Sequence, residues 1–356
     1  MDLSEAVQPA RRPLSIWAVS DGRAGIEAQT LALAEAVARA QPAGIVVKRV
    51  AWRAGLGRLP TALMMALPRA ATAADLAAPW PDIWIAAGRA ALPLSVHMRR
   101  WSPGTFVVQA QDPRWPPAAF DLVIPPVHDG LSGPNVFPII GAPSRMTAER
   151  LAEGRARFAA PLAPLPRPHI AVAVGGASAA YDLPRDQAAI LALAVLQTAQ
   201  ATGGSILLTF SRRTPQAAKA AMTEALAGAV LEGRAWIWDG EGENPYAAFL
   251  GSADHVLVTE DSVNMALDAA ATNAPVQILP LRPRSDRAAA KFRALHADLQ
   301  ASGRVRPFGG GLERWPVEPI LEADRAAAEI LRRFDAKAGD LKVGLDPATG
   351  SRQRTS

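Results

Sequence analysis

The 356-residue chain contains no cysteine, which excludes disulfides, a thiol nucleophile and any zinc or iron–sulfur centre held by thiolates. A reducing, cytoplasmic compartment is expected. No stretch approaches the roughly 20 uninterrupted apolar residues that span a bilayer, and the opening MDLSEAVQPARRPLS lacks the apolar core of a signal peptide. The expected protein is soluble, or peripheral on the inner face of the cytoplasmic membrane. Five histidines, at 97, 128, 169, 255 and 296, show no metal-ligand spacing, so neither a protein-held metal nor a resident cofactor is expected. One charge does not dominate either: 38 basic against 33 acidic residues leave +5, too even a balance for a nucleic-acid coat. The pI near 10 still favours phosphate or anionic lipid.

What is present is a hydrophobic fraction of 49% in a chain long enough for about two domains of ~150 residues each. LSIWAVS (14–20) reads as a buried strand, DGRAG as a turn, and Ile26 to Ala40 as a helix. The grammar repeats in IVVKRV, DIWIAA, TFVVQ and FDLVIPP, which predicts a parallel sheet covered on both faces. A helix over 151–160 is followed by PLAPLPRP (161–168), whose prolines predict an interdomain linker. The pattern then restarts in HIAVAVGG, SILLTF, RAWIWD, HVLVTE and VQILPL, five strands with interleaved helices. The expected fold is α/β, with two Rossmann-like doubly wound domains, 1–160 and 169–335, facing a central cleft, and a frayed tail over 336–356.

Ligands of such sheets bind at the carboxyl ends of the strands, so the turns there hold the candidate chemistry. In the second domain these are Gly175-Gly176 with Ser178, the pair Arg212-Arg213 after Ser211, and Glu260-Asp261-Ser262 leading into Met265. Paired glycines suit a phosphate cradle or an ordinary turn; adjacent arginines suit bidentate phosphate contacts or a solvated turn. Glu260 or Asp261 would accept both hydroxyls of a ribose, or simply cap a helix with Ser262. In the first domain, Asp21 and Glu27 around Gly22 and Gly25 are candidate bases, as is His128 beside Asp129. Gln111 and Arg114 are placed to line the same wall. The arginine-, leucine- and methionine-rich segment 51–70 reads as an interfacial helix or a domain-closing one.

Together, DGRAGxxxQ, GRAAxP, QDPR, HD before GPNV, GGxSxxY, SRRTP, NPYxAFL, VTEDSVNM and KFRxxH resemble the Elm-type mitochondrial fission protein family over about Leu14 to Phe334. The resemblance implies two Rossmann domains arranged as in GT-B glycosyltransferases, with a nucleotide-sugar donor on the second and the acceptor, lipid-linked or membrane-bound, on the first. It also implies the role the plant members have, recruiting a dynamin-like protein to mitochondria. The DGRAG turn stands where lipid-linked-sugar transferases of this fold carry a glycine-rich loop with their base, but has no histidine. The expectation is a metal-independent glycosyltransferase without nucleic-acid partners; the alternatives are a catalytically silent scaffold for a membrane-remodelling protein, its identity unknown, and a nucleotide-sugar epimerase.

Overall fold

The computed structural model describes residues 12–67, 71–72 and 76–343. The opening MDLSEAVQPAR, residues 68–70 and 73–75, and the tail from 344 onward therefore lie outside the described residues. Contacts divide the chain into two units. The first takes the residues up to Pro125, Leu131–Pro138 and everything from Ala323; the second takes Pro126–Gly130 and Ile139–Glu322.

The first unit runs β1 (Leu14–Ser20), α1 (Ala24–Ala40), β2 (Ala43–Arg49), β3 (Ile83–Ala87), α2 (Leu92–Trp101), β4 (Phe106–Ala110) and β5 (Leu122–Ile124). Its sheet is parallel throughout, in the order β2-β1-β3-β4-β5. The sequence explains which strands are central: every residue of IWIAA in β3 and of FVVQA in β4 is buried, as two-sided packing requires, whereas β2 alternates and exposes Val46 and Val47 at the edge. The chain reverses its direction of travel between β1 and β3, the switch point of a flavodoxin-like order.

The second unit contains α3 (Ala148–Arg157), β6 (His169–Val174), α4 (Arg185–Thr202), β7 (Ser205–Phe210), α5 (Gln216–Leu231), β8 (Ala235–Trp238), α6 (Tyr246–Ser252), β9 (His255–Thr259), α7 (Val263–Ala270), β10 (Val276–Leu279), α8 (Asp286–Ala301) and β11 (Val305–Pro307). The sheet order β8-β7-β6-β9-β10-β11, all parallel, is the order 3-2-1-4-5-6 of a dinucleotide-binding Rossmann fold. Alternate strand residues feed two cores, Leu207, Val256 and Val258 on one face and Ile206, Leu208 and Leu257 on the other. The reversal point lies between β6 and β9.

Three boundaries differ from expectation. Residues 139–168 pack in the second unit. Helix α3 lies so close to α6 that a β-carbon on Gly154 would come within 2.8 Å of the Ala248 nitrogen, and Leu162 is buried in the second core. PLAPLPRP is thus a packed lead into β6, its Pro168 carbonyl accepting from Ser205 N, rather than a linker. The second sheet has a sixth strand, β11, too short at three residues to register as a pattern. Finally, the chain returns to the first unit in a C-terminal helix (Glu322–Val343), so residues 336–343 are not a tail. There Phe334 meets Phe106 edge-on at 6.1 Å, and Lys337 Nζ donates to the Thr105 carbonyl at 2.8 Å and to Asp121 at 3.0 Å.

Candidate functional site

Three turns meet at the reversal point of the second unit. The strand ends are in register, Val174 beside Phe210 and Ala173 beside Val258, so Gly175-Gly176, Ser211–Thr214 and Glu260–Ser262 leave the sheet together. Asp261 ties them. It is 1% exposed; Oδ1 accepts from Thr259 Oγ1 at 2.7 Å, and Oδ2 accepts from Gly176 N and from Arg213 Nη2, both at 2.9 Å. Thr259 Oγ1 accepts in turn from Gly175 N at 2.7 Å. No larger residue fits at either glycine: a β-carbon would lie 2.5 Å from Asp261 Cγ at 175 and 2.6 Å from Thr214 Cα at 176. Ser211 Oγ donates to the Gly175 carbonyl at 3.0 Å and accepts from Arg213 N at 3.1 Å, while Thr214 Oγ1 also donates to that carbonyl.

The outcome is a fixed cation above a buried acid. The Arg213 side chain is 43% exposed over the fully buried Asp261 side chain, and beyond a 3.4 Å contact with the Ala177 carbonyl most of its N–H donors are unspent. Arg212 is exposed and has no acidic partner among the described residues. Beside them Ser262 caps α7, accepting from Met265 N at 3.4 Å, so the helix presents first-turn N–H groups at the same edge. Met265 itself is partly buried against the core.

This geometry corrects part of the expectation. Asp261 is spent on the three strand ends and is too buried to meet a ribose. Glu260 is half-buried; its Oε1 accepts from Leu281 N at 2.8 Å, burial pushes its carboxyl above the usual carboxylate range, and its carbonyl accepts from His296 Nε2 at 2.9 Å. Ser178 closes a local turn, its Oγ accepting from Ala180 N and Tyr181 N. The structure therefore joins Gly175, Gly176, Ser211, Arg213 and Asp261, with Glu260 and Ser262 flanking. It adds Thr259, Thr214, His296 and Tyr181, whose buried, unpartnered hydroxyl is pushed up to about 12 chiefly by desolvation. Only the hydroxyl type of the two threonines, at strand or turn ends, gave any signal of this.

In the first unit, Ser20 Oγ accepts from Gly22 N at 3.1 Å and Gly22 takes φ +78°, which folds the DGRAG turn back over the end of β1. Asp21 accepts from Arg23 N at 3.1 Å and Arg23 Nε at 2.7 Å; Glu27 is gripped by Arg49 through Nε at 2.7 Å and Nη2 at 2.9 Å. Both candidate bases are already ion-paired. Gln111, held at φ +68°, donates to the buried Gln29 at 2.8 Å, and Arg114 N donates to Asp112 at 2.8 Å within its own turn. His128 belongs to the second unit, donating from Nδ1 to Asp298 at 2.9 Å, with Asp129 held by Lys291 at 3.1 Å. The three candidate bases thus do not share a unit. Segment 51–70 is not one helix: a 3-10 stretch (Arg53–Arg58) and a short helix (Thr61–Ala66) break at Pro60, exposing Leu63 and Leu67. Among the described residues no group of three or more His, Asp or Glu is placed to hold a metal, and no helix is long and apolar enough to cross a membrane.

A family model described as Mitochondrial fission ELM1 matches residues 24–334. The chain belongs to that family. A curated ELM1 relative, Mitochondrial fission protein ELM1 of Arabidopsis thaliana, is 28% identical over 289 residues, 74% of this chain but 66% of its own length, so the chain spans just under two thirds of it. An uncharacterized protein of Rickettsia prowazekii is 25% identical, covering 90% of this ELM1-family chain and 98% of its own. Among solved structures, a UDP-GlcNAc 2-epimerase of Methanocaldococcus jannaschii, in complex with UDP-GlcNAc and UDP, superposes with a TM-score of 0.51 at 10% identity, over 91% of this chain and 99% of that one. That likeness is one of fold. The ELM1-family chain has the two Rossmann-like parallel sheets of GT-B-like proteins.

Proposed function

We propose that this ELM1-family protein binds a nucleoside-diphosphate sugar at the β6/β9 reversal point of its second unit and acts as a metal-independent glycosyltransferase. The observation that carries the reading is Arg213, anchored by Asp261 beside Gly175-Gly176, with Arg212 and the α7 amino end at the same sheet edge. Two guanidinium groups and free helix N–H groups are what a diphosphate leaving group needs as charge develops on it. The epimerase of like fold, solved with UDP and UDP-GlcNAc, supports the ligand class. An acceptor hydroxyl would be deprotonated by Glu27 or Asp21 only after its arginine partner moves. Exposed Leu63 and Leu67 on a segment that also carries Arg53 and Arg58 support a membrane-bound acceptor. Retention on anionic liposomes at low salt is the expected result for that part.

The occupied state of Asp21 and Glu27 also favours a second reading, a scaffold without turnover that recruits a membrane-remodelling partner. Thermal unfolding of wild type and Arg213→Ala against UDP-, GDP-, ADP-, dTDP- and CMP-sugars separates the two. At about 100 times Kd a bound ligand adds roughly 2.7 kcal/mol. A rise with one nucleotide, lost in the variant, supports the donor site; no rise with any of them transfers the weight to the scaffold.

A further inference from the structure

The turns at the carboxyl edge of the first sheet differ in chemistry from those of the second. Register sets Val19 of β1 beside Ala86, and Ala87 of β3 beside Ala110 of β4, so residues 20–25, 88–91 and 111–114 leave the sheet together at its own reversal point. Gln111 N donates to the Ile124 carbonyl at 2.9 Å, and its φ of +68°, uncommon for a residue with a side chain, turns the chain out of β4. Its Nε2 then donates at 2.8 Å to Oε1 of Gln29, in the second turn of α1. Gln29 is 6% exposed, yet among the described residues neither its Nε2 nor the Gln111 Oε1 has a hydrogen-bond partner. Gln109 Oε1 in β4 is sealed from solvent, but these two atoms are not. One amide pair thus offers an unspent donor beside an unspent acceptor.

The surroundings specify a neutral, hydroxylated ligand. Two acids flank the start of α1, each matched by an arginine: Asp21 by Arg23 and Glu27 by Arg49, both at 2.7 Å. The third turn holds one charge of each sign, Asp112 and Arg114. An incoming anion would meet carboxylates here, unlike at Arg212 and Arg213 in the second unit. No side chain caps α1, so the N–H groups of Ala24 and Gly25 remain as further donors. A nucleobase needs a stacking face; residues 20–25, 88–91 and 111–114 include no aromatic ring, and Trp115, next along, packs against the first core. Sugar hydroxyls, each both donor and acceptor, satisfy a mixed set of amides, carboxylates and N–H groups.

We propose that the Gln29–Gln111 amide pair binds a sugar residue, which makes the acceptor of the proposed transfer a saccharide. Only its role as acceptor rests on the glycosyltransferase reading. The test is saturation-transfer NMR titration of the full chain with methyl glycosides of glucose, galactose, mannose and N-acetylglucosamine, and with glycerol phosphate as the anion. The expected result is binding of at least one glycoside. Its affinity should fall about threefold or more in Gln29→Met, which keeps the volume, and in Gln111→Asn, which tolerates the left-handed backbone but withdraws the amide. Hydrogen exchange of the wild type needs no variant: at about 50 mM glycoside it should slow in peptides covering residues 20–30 and 106–114. The proposal is overturned by no glycoside binding at that concentration, by slowed exchange confined to other segments, by glycerol phosphate binding at least as tightly as every glycoside, or by affinity unchanged in both folded variants. Glycoside binding without any donor-induced rise in thermal midpoint leaves the sugar site standing and removes its acceptor role. Donor turnover without glycoside binding removes the sugar site alone.

Discussion

The Asp261 carboxylate occupies the space that a side chain on Gly175 would need, a β-carbon there falling 2.5 Å from Asp261 Cγ. The absent side chain at 175 is thus what lets a buried acid reach Arg213. Gly175→Ala is expected to displace Asp261 and cost about 1–3 kcal/mol through overpacking. Combined with Asp261→Ala, the loss in the double variant should be smaller than the sum of the two single losses, because both break the same cluster. Denaturant unfolding of the two single variants and the double variant measures this.

Arg304 spends its guanidinium on four carbonyls around the carboxyl end of α7. Burial pushes it down to about 10, still charged at neutral pH. Arg304→Met strands those carbonyls in the core, and at about 1–3 kcal/mol for each group left unpaired the expected loss is at least ~3 kcal/mol. Arg304→Lys should recover little, since an ammonium lacks the planar fork that spans several acceptors. A urea midpoint for each variant checks it.

In the C-terminal helix, Glu329 accepts from Arg332 and Arg333, and these pairs, Arg332 foremost, hold its carboxyl down at about 2 against an ordinary 4.5. A folded value below the unfolded one stabilises fully above pH 4.5, and that contribution fades as pH falls toward 2. Glu329→Gln should lower the thermal midpoint in the neutral region, leave it little changed near pH 2, and so flatten the acid limb between them.

Arg49 is mostly solvent-exposed where it grips Glu27. Arg49→Met should therefore leave the thermal midpoint nearly in place. Thermal unfolding that stays in place makes the variant a clean probe of Glu27: if the proposed glycosyl transfer occurs, a changed rate reports on that carboxylate without its arginine partner.

Legibility tracked local chemistry. The buried strands LSIWAVS, HIAVAV and HVLVTE are continuous apolar runs with turn residues at their carboxyl ends, and these fixed both sheets and the three turns of the site. The helix from Arg185 to Thr202 lies between Pro184 and Gly203, residue types that mark the two ends of a helix in the sequence itself. What escaped depends on contacts distant in sequence. Asp261 read as a ribose acceptor because nothing in VTEDSV records that Gly176 and Arg213 would claim it. Asp21 and Glu27 read as bases because the charge on Arg23 and Arg49 carries no direction in a string of letters. The prolines of 161–168 signalled a break in regular structure, correctly, but not that Leu162 would be buried beside it.

The return of the C-terminal helix to Phe106 and Asp121 has a consequence for synthesis on the ribosome. Chains emerge amino end first, and domains fold as units. The first unit is encoded first yet is completed last, since it waits for Phe334 and Lys337 while the whole of the second unit is made between them. The later-encoded sheet can thus close before the earlier one, and a nascent chain halted short of Phe334 would carry a finished second unit beside a first unit with Phe106 uncovered on that side.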